Sequence, residues 1–542
     1  MLKKENKAIF TLFVILNIAV SILYGVFNNC ILIRYICVLQ QNYYRPKKVI
    51  KWLFDYNNIY FKNLYINTLL LSLVFVVISA IFVILKVSYG FYYILHLFCI
   101  TYLIVLNMTI SEIPFKKPLI YTKRVIRLLI TNALINAIMY GIILVFSIKY
   151  NFVFCLLSIP LYLCPFTLIF SNFVNSPLES FINFTYVVKA KNKLKKYKNL
   201  KVIAITGSYG KTSTKNYLYA ILAKRYNVVS SPASYNTSTG ITRTILEYLK
   251  PYHDILILEM GADKNNDIDK LCKIVKPDIS IITAVGNQHL ETFKTIDNII
   301  NTKFQLVKNT SDNGFFVTNT TNDICKFYTQ CSKIPYYAVG DNQDFCNIDD
   351  IKCSNNGMDI NCHLDRQKLK LHTGIIGKFN AINILLGVVT AYKLGVEIAD
   401  IVDAVNSLQQ VEHRLNTRIL PKGATLIDDS FNSNVEGFKG AVDTLQLFNT
   451  KKVIVTCGVV DLGDEQYTTN YELGRLLKDV EVYVVNKTNY NAIKNGVESV
   501  GGDTPKYFGS FKDCYNQVIA NLDKNYTVLI ENDLPDLYII DD

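Results

Sequence analysis

Apolar residues are distributed unevenly along the chain and divide it into two parts. Before about Asn183, long apolar runs alternate with short polar stretches, and five of these runs approach the length that crosses a bilayer. These runs are Ala8–Val26, Leu64–Leu85, Tyr92–Ile110, Val125–Phe146 and Phe152–Phe170. The pattern predicts an all-α, multi-span membrane domain with about five transmembrane helices over residues 1–182. A buried core helix is the alternative for any single run, and a signal peptide is the alternative for the first.

Basic residues predict the orientation of these spans, because loops rich in lysine and arginine stay on the cytoplasmic side. Such residues concentrate in the first and third connections and directly after the fifth span. We therefore expect a multi-pass protein of the bacterial cytoplasmic membrane, with the remaining domains in the cytoplasm, the amino terminus outside and the lipid bilayer as a partner. Cys30–Leu39 is apolar but short and contains Arg34, which favours an interfacial helix over a crossing.

From about Leu200 onward, short β-rich runs alternate with helical stretches, which is typical of mainly parallel sheets covered by helices. The predicted strands are Val202–Thr206, Ile255–Glu259, Ile279–Thr283, Thr425–Asp428, Val453–Thr456, Val482–Val485 and Thr527–Ile530. Two α/β domains fit this pattern, with a boundary near Val411. We expect a central, P-loop-like ATP-binding domain over residues 183–410 and a Rossmann-like carboxy-terminal domain over residues 411–542.

Charge and cysteine spacing argue against two classes of partner. The 542 residues carry a formal net charge of +13, but the lysines cluster beside the predicted membrane segments, as in Lys189–Lys201. Topology and anionic lipid account for this cluster better than nucleic acid does. The 13 cysteines form no Cys-x-x-Cys pair, and those from Cys325 to Cys362 lack the paired spacing of a zinc site. We expect no nucleic acid, no zinc and free thiols.

A glycine-flanked lysine follows the strand Val202–Thr206 and is typical of a phosphate-binding loop. In Thr206-Gly207-Ser208-Tyr209-Gly210-Lys211-Thr212-Ser213, the glycines let the backbone turn and point its N–H groups at phosphate. Lys211 supplies a positive charge, and Thr212 offers an oxygen to Mg²⁺. The strict P-loop pattern is not met, because its first glycine would fall at Ile205. The motif still predicts ATP binding, with an ordinary strand-to-helix turn as the alternative.

Two further residues with chemical potential follow the next two strands, where open α/β sheets bind their ligands. Glu259 begins the segment Glu259-Met260-Gly261-Ala262, and His289 lies in Asn287-Gln288-His289-Leu290-Glu291. A carboxylate and an imidazole beside a phosphate-binding loop are suited to hold a divalent metal. Taken singly, Glu259 could be a helix-capping acid and His289 a core histidine.

Together these motifs resemble the Mur ligase family, ATP-dependent enzymes that add amino acids to the peptide of cell-wall precursors. The likeness runs from about Leu200 to Asp542 and includes three more segments. These are Gly377-Lys378-Phe379-Asn380-Ala381-Ile382-Asn383, Glu412-His413-Arg414-Leu415 and Asp428-Asp429-Ser430-Phe431-Asn432-Ser433-Asn434. The last is most similar to the MurF type, which joins D-alanyl-D-alanine to UDP-N-acetylmuramoyl-tripeptide. The resemblance implies an amide ligase of peptidoglycan biosynthesis that forms an acyl phosphate.

The resemblance also implies roles for residues around ATP and two Mg²⁺ ions. Lys211 is expected to contact the β- and γ-phosphates, Thr212 and Glu259 to bind one Mg²⁺, and His289 to help hold a second. Lys303 falls at the position of the family's carbamoylated lysine, whose carbamate has carboxylate-like oxygens that suit a metal site. A surface lysine is the alternative for Lys303.

Four residues are expected to contact the rest of the nucleotide. Asn380 and Asn383 are three apart at a helix start and can face one ligand, although the family's histidine before them is Phe379 here. By resemblance Arg414 reaches the ATP phosphates and Asp429 the ribose, so closure of the carboxy-terminal domain would complete the site. Helix capping by Asn380 and a surface position for Arg414 are the alternatives.

Two polar loops are expected to bind the other substrates. Thr237 stands where the MurF type usually has a second asparagine, so the details of the substrate are left open. An Asx-rich turn is the alternative for the second loop. The expected substrate-binding residues are Ser234, Asn236, Ser430, Asn432 and Asn434.

The part of the chain before Asn183 departs from the family, because MurF-type enzymes begin with a domain for the uridine nucleotide. Three hypotheses therefore stay open: a MurF-type ligase, a related amide ligase on another cell-envelope or polyamino-acid acceptor, and a non-catalytic nucleotide-sensing regulator. The presence of Lys211, Glu259, His289, Lys303 and Arg414 argues against the regulator. Envelope-assembly proteins are further expected partners.

Overall fold

The chain folds into two compact units, Met1–Ile182 and Asn183–Leu534. The computed structural model describes residues 2–54, 118–149, 156–157, 159–287, 290–329, 332–341, 344–431, 434–460 and 462–532, with isolated positions between 66 and 105. Each unit has hydrophobic clusters of its own. The two units are therefore described one at a time.

The described part of the first unit is helical and combines an apolar core with buried amides. Asn132 Nδ2 donates to Thr167 Oγ1 at 3.1 Å and to Ser171 Oγ at 3.2 Å, and Asn28 Nδ2 donates to Asn136 Oδ1 at 3.0 Å. These bonds pair polar groups that burial would otherwise leave unsatisfied. The helices that begin in this unit are α1 (Leu2–Gln41), α2 (Pro46–Leu53), α3 (Lys123–Lys149), α4 (Ile159–Tyr162) and α5 (Cys164–Leu194).

The prediction of a multi-pass membrane protein is wrong. Among the described residues, two helices are long and apolar enough to cross a membrane, Val14–Gln41 and Lys123–Ser147. Two such helices are weak evidence, because a buried helix and a signal sequence meet the same criterion. A minor part of these two helices, including Leu32 and Leu128, lies in the core of this unit. The predicted location in the cytoplasmic membrane and the predicted orientation of the spans depend on that prediction, so they are wrong as well.

Three of the predicted spans are not covered in full. Leu64–Leu85 and Tyr92–Ile110 lie largely outside the described residues, and so do residues 152–155 and 158 of Phe152–Phe170. The segment Cys30–Leu39 is not a separate interfacial helix. It is the last part of α1, and its Leu32, which is fully buried, belongs to the core of the unit.

The second unit contains a nine-stranded sheet in the order β2-β3-β1-β4-β5-β6-β7-β8-β9. Strands β1 to β7 pair in parallel, and β7 to β9 form an antiparallel meander at one edge. The strands are β1 (Lys201–Thr206), β2 (Val228–Ser230), β3 (Ile255–Glu259), β4 (Ile279–Ile282), β5 (Phe315–Asn319), β6 (Tyr336–Gly340), β7 (Cys346–Ser354), β8 (Gly357–Leu364) and β9 (Gln367–Thr373).

The second sheet has six strands in the order β10-β11-β15-β12-β13-β14, all parallel except β10. Its strands are β10 (Asn416–Ile419), β11 (Thr425–Asp429), β12 (Lys451–Thr456), β13 (Glu481–Val485), β14 (Lys506–Phe508) and β15 (Tyr526–Glu531). The prediction of mainly parallel sheets in an α/β fold is confirmed.

Helices cover both sheets, and short π-helical and 3₁₀ turns lie at Thr244–Tyr248, Gly463–Glu465 and Ile519–Asn521. The helices are α6 (Lys211–Leu222), α7 (Ser238–Arg243), α8 (Asp267–Cys272), α9 (Leu290–Phe293), α10 (Ile296–Lys308), α11 (Asp323–Thr329), α12 (Lys378–Lys393), α13 (Ile398–Asn406), α14 (Val435–Gln446), α15 (Gln466–Arg475), α16 (Tyr490–Ser499) and α17 (Phe511–Gln517).

The register of the first sheet places three loops at one edge. Ile205 pairs with Glu259 of β3, and Thr206 pairs with Ile282 of β4, so the three strands end at nearly the same level. Parallel strands that end together bring the loops after them together. The segments that begin at Gly207, Met260 and Thr283 therefore meet.

Candidate functional site

The phosphate-binding loop lies between β1 and α6. Gly207 has φ 155° and Gly210 has φ 80°, a left-handed conformation that glycine adopts without strain. A Cβ at Gly210 would also collide with Asn383 Oδ1. Ser208 N–H donates to Ala284 O at 2.7 Å, which fixes the loop against the segment after β4. The glycines and the start of α6 thus form a turn suited to phosphate.

Lys211 begins α6 and folds back over the loop. Its Nζ donates to Gly207 O at 2.7 Å and to Ser208 O at 2.9 Å. Burial lowers the pKa of Lys211 to about 8, although the Glu259 carboxylate opposes this shift. The amine therefore lies at the mouth of the loop, where a phosphate would meet it.

Glu259 ends β3 and is almost fully buried, beside the start of α6. Its Oε2 accepts from Thr212 Oγ1 at 2.9 Å, and its Oε1 accepts from Asn236 Nδ2 at 3.2 Å. Glu259 does not act as a helix cap, because it lies inside a strand. Mg²⁺ is usually held by one or two protein oxygens together with water and phosphate, so the hydroxyl and carboxylate fit this ion.

Lys303 lies on α10 with 2% of its surface exposed, which excludes a surface lysine. Burial lowers the pKa of Lys303 to about 7, and the positive charge of Lys211 lowers it further. Asp263 and Asp267 act in the opposite direction. A buried lysine that is neutral near pH 7 is a nucleophile, as carbamoylation requires.

Asn380 and Asn383 face the start of α6 from α12. Asn380 does not cap this helix, since its N-cap is Gly377. Asn380 Nδ2 donates to Ile376 O at 2.9 Å, and Asn383 Oδ1 accepts from Thr214 Oγ1 at 3.2 Å. The pair thus lies against the phosphate-binding helix, as a nucleotide contact would require.

Arg414 and Asp429 come from the segment that includes the second sheet. The guanidinium of Arg414 stacks 4.3 Å above the ring of Phe431, and burial lowers its pKa while the carboxylates of Asp429 and Glu259 oppose the shift. Burial raises the pKa of Asp429 to about 6, and Arg414 opposes this. The guanidinium of Arg414 thus interacts electrostatically with both Asp429 and Glu259, which links the segment of the second sheet to the end of β3.

The two expected substrate loops differ in how their polar groups are used. Asn236 contacts Glu259, and Ser234 O accepts from Asn236 N–H at 2.8 Å. In the second loop, Ser430 Oγ donates to Asp428 Oδ1 at 2.6 Å, and Asn434 caps α14 by accepting from Gly437 N–H at 2.9 Å. Asn434 thus bonds to the backbone of its own segment, as the alternative of an Asx-rich turn expects.

His289 and Asn432 lie outside the described residues, so their roles stay predictions. Lys215 and His413 are the residues that the sequence reasoning overlooked. Lys215 is buried 3.7 Å from Glu259 Oε2, and His413 Nδ1 lies 2.9 Å from Asp428 Oδ2. Lys215 follows Lys211 by one helical turn, a spacing that could have drawn attention to it.

Comparisons with known proteins show which family the chain resembles. Residues 205–391 match the Mur ligase middle domain. The chain is 23% identical over 338 residues to the UDP-N-acetylmuramoyl-tripeptide--D-alanyl-D-alanine ligase of Bacillus subtilis, covering 61% of this chain and 72% of that protein. It is 27% identical over 333 residues to the ligase of the same name from Buchnera aphidicola subsp. Acyrthosiphon pisum, covering 60% and 70%.

Solved structures give the same result. The MurF ligase of Thermotoga maritima in complex with ADP is 25% identical, with a TM-score of 0.58, and covers 66% of this chain and 81% of that one. MurF from Acinetobacter baumannii has a TM-score of 0.59 at 23% identity, covering 65% and 77%, which supports the fold.

The fold, the site and these matches define an ATP-dependent ligase that forms carbon-nitrogen bonds and contains a Mur ligase middle domain. Within that class, the chain is similar to ligases of the MurF type. The hypothesis of a non-catalytic regulator is therefore set aside.

Proposed function

We propose that the chain joins D-alanyl-D-alanine to a UDP-N-acetylmuramoyl-tripeptide with the cleavage of ATP to ADP. The relatives named above carry this activity in their names. The observation that carries the proposal is the convergence of Lys211, Thr212 and Glu259 at one edge of the first sheet, with Arg414 arriving beside them. A ligase that uses ATP needs this combination of cations and metal-binding oxygens around the phosphates.

The reaction follows from the chemistry of a carboxylate, which has no leaving group that an amine can displace. The carboxylate of the tripeptide attacks the γ-phosphorus of ATP, so a carbon-oxygen-phosphorus link forms and the bond to the β-phosphate breaks. The amine of D-alanyl-D-alanine then attacks the acyl carbon, and inorganic phosphate leaves as the amide forms and the amine loses a proton. Lys211 and Arg414 would neutralise phosphate charge during both transfers.

Thr212 and Glu259 would hold one Mg²⁺, and His289 and Lys303, as a carbamate, would help hold a second. When bound, the metal ions shield the phosphate charge from the attacking carboxylate. The buried, weakly basic amine of Lys303 supports the carbamate. Asn380, Asn383 and Asp429 would contact the nucleoside, while Ser234, Asn236, Ser430, Asn432 and Asn434 would contact the other substrates.

We also propose that residues 183–410 and 411–542 act as two domains of one ligase, preceded by a separate domain over residues 1–182. This division is supported by the two sheets, since the first ends at Thr373 and the second begins at Asn416. Arg414 lies in the connection between them, so movement of the second domain would bring Arg414 to the phosphates or remove it.

Binding to envelope-assembly proteins also stays a prediction.

The test is a ligation assay with the full chain, ATP, Mg²⁺, UDP-muramoyl tripeptide and D-alanyl-D-alanine, followed by the mass of the product. We expect a product whose mass equals the sum of both substrates less one water, with one ADP released per product. Lys211→Ala should reduce the rate by at least about 100-fold, because a main phosphate contact is lost. Product formed only with another amine or acceptor would replace this proposal with the related amide ligase.

A further inference from the structure

Lys215 is a buried cation that the reaction described above does not use. It lies one turn after Lys211 on α6, and 1% of its surface is exposed. Its Nζ donates to Ser231 O at 2.8 Å and to Ala233 O at 2.5 Å, and lies 3.7 Å from Glu259 Oε2. Two of its three N–H groups thus donate to carbonyls, and the Glu259 carboxylate forms an ion pair with its charge. Burial of a charge is unfavourable unless partners of this kind surround it.

The two carbonyls belong to one loop, residues 231–237, which we call the substrate loop. It follows β2 and contains Ser234 and Asn236, the proposed substrate contacts. Ala233 has φ 42°, a left-handed conformation that is unfavourable for a residue with a Cβ. The hydrogen bond from Lys215 to the Ala233 carbonyl therefore holds the loop in a shape that it would not adopt unaided.

The same loop also contacts the metal-binding carboxylate. Asn236 Nδ2 donates to Glu259 Oε1 at 3.2 Å, Asn236 O accepts from Gly261 N–H at 2.9 Å, and Ser231 Oγ accepts from Glu259 N–H at 3.2 Å. Lys215 thus contacts both parts of this arrangement, the loop through two hydrogen bonds and Glu259 through an ion pair. Its removal would take the amine donor away from the Ser231 and Ala233 carbonyls and the nearby positive charge away from the Glu259 carboxylate.

We propose that Lys215 is a positioning residue that joins the phosphate-binding helix to the substrate loop, so that binding of the muramoyl tripeptide depends on an amine that touches no substrate. This inference rests on the proposed function for the identity of the substrate. The phosphate-binding loop itself is held separately, by the bonds of Ser208 to Ala284 and Gly286. Loss of Lys215 should therefore affect the two substrates unequally.

The experiment compares Lys215→Met with Lys224→Met in the full chain. Lys224 is the matched control, because it lies just beyond the same helix and pairs with Asp403 far from the loop. We expect Lys215→Met to lower kcat/KM for the muramoyl tripeptide by about tenfold or more, mainly through KM. The Kd for ADP, measured in EDTA, should stay within about threefold of the parent, and Lys224→Met should leave both constants unchanged.

A second variant breaks the contact between Lys215 and the Ala233 carbonyl by changing the loop instead of the lysine. Ala233→Pro cannot keep φ 42°, because proline fixes φ near −65°, so the carbonyl moves away from Lys215 while the lysine stays. We expect this variant to show the same selective loss of tripeptide binding. If Lys215→Met does not fold, Ala233→Pro decides the question alone.

Hydrogen exchange separates this inference from the proposed function. Without any substrate, the amides of Asn236 and Gly261 should exchange about tenfold faster in Lys215→Met than in the parent, and at parental rates in Lys224→Met. A parent that makes no product from the tripeptide would refute the proposed function but leave this measurement valid. Parental exchange and parental kcat/KM in Lys215→Met would overturn the inference, as would parallel losses of ADP binding, tripeptide binding and melting temperature.

Discussion

Arg414 is held in place by a backbone that is locally unfavourable. The residues on either side of it, His413 and Leu415, have φ 58° and 56°, which costs about 1–2 kcal/mol for a residue with a Cβ. His413 N–H donates to Asn416 Oδ1 at 2.7 Å, its ring contacts Asp428, and Leu415 is buried in a core. These contacts offset the strain and hold the guanidinium in the proposed ATP site.

This strain predicts that the backbone at position 413 matters more than the loss of its ring. His413→Gly and His413→Val both remove the imidazole, but only glycine accepts a left-handed φ freely. We expect kcat/KM for ATP to be about tenfold lower in His413→Val than in His413→Gly, because Arg414 is displaced in the former. Steady-state kinetics at saturating tripeptide measure this. Equal values in the two variants would show that the conformation of His413 does not position Arg414.

The burial of Lys303 makes the stability of the protein depend on pH. Its pKa falls from 10.5 to about 7 on folding. Between these values the unfolded chain binds a proton that the folded chain does not bind, so stability rises with pH across this window. Below about pH 7, Lys303 is protonated in the folded protein too. The folded protein then carries a buried ammonium, and the stability contributed by a neutral Lys303 is lost.

We therefore expect the free energy of unfolding of the parent to fall, relative to Lys303→Met, as the pH is lowered from about 10 to about 7. The relative change should amount to a few kcal/mol, since one pKa unit corresponds to about 1.4 kcal/mol. Urea unfolding in bicarbonate-free, Mg²⁺-free buffer measures it. Lys308→Met is the control, because Lys308 is exposed on the same helix. A pH-independent difference between parent and Lys303→Met would contradict the assigned burial.

At the scale of elements, the packing of α6 against α12 places the asparagine pair beside the phosphate-binding loop. Gly387 lies on α12 where a Cβ would be 3.4 Å from the backbone of Leu218. That distance is ordinary van der Waals contact, so there is room for a methyl group and for nothing larger. The position of Asn383 beside Thr214 depends on this close approach of the two helices.

The effect of a substitution at Gly387 on stability should therefore depend on the size of the new side chain. Gly387→Ala should be neutral or stabilise the protein by up to about 1 kcal/mol, since alanine favours a helix. Gly387→Leu should destabilise it by about 1–3 kcal/mol and weaken ADP binding, because the helices must move apart. Urea unfolding and titration with ADP test both variants. A leucine variant as stable as the parent would show that the two helices do not pack so closely.

The sequence predicts some elements better than others, and the reason is physical. Strand β3 is found at the predicted Ile255–Glu259. A strand buried on both faces is a continuous apolar run, which is easy to recognise in a sequence. The edge strands β7 to β9 were not predicted, since they alternate polar and apolar residues and pair only with their neighbours in sequence. The residues proposed to bind phosphate stand out as motifs in the sequence. The role of Lys215 depends on contacts with a distant loop, and no local pattern contains them.

At the scale of the whole molecule, the end of α5 belongs to the core of the second unit, Asn183–Leu534, which we call the ligase unit. Ala190 is fully buried, and Val187 and Leu194 pack against the cluster that lies under the first sheet. Lys193 Nζ donates to Leu246 O at 3.0 Å and to Leu249 O at 2.7 Å, which satisfies carbonyls near the π-helical turn. The ligase unit should thus begin before its first strand, within α5.

Two truncations test this boundary. A fragment that begins at Asn183 keeps the end of α5, and we expect it to bind ADP with a Kd within about threefold of the full chain. A fragment that begins at Lys201 loses the apolar side chains of α5 and the lysine that bonds the two carbonyls. Because each buried apolar side chain contributes about 1–3 kcal/mol, the second fragment should melt well below the first. Equal melting temperatures would show that α5 contributes nothing to the ligase unit, and that the core under the first sheet is complete without it.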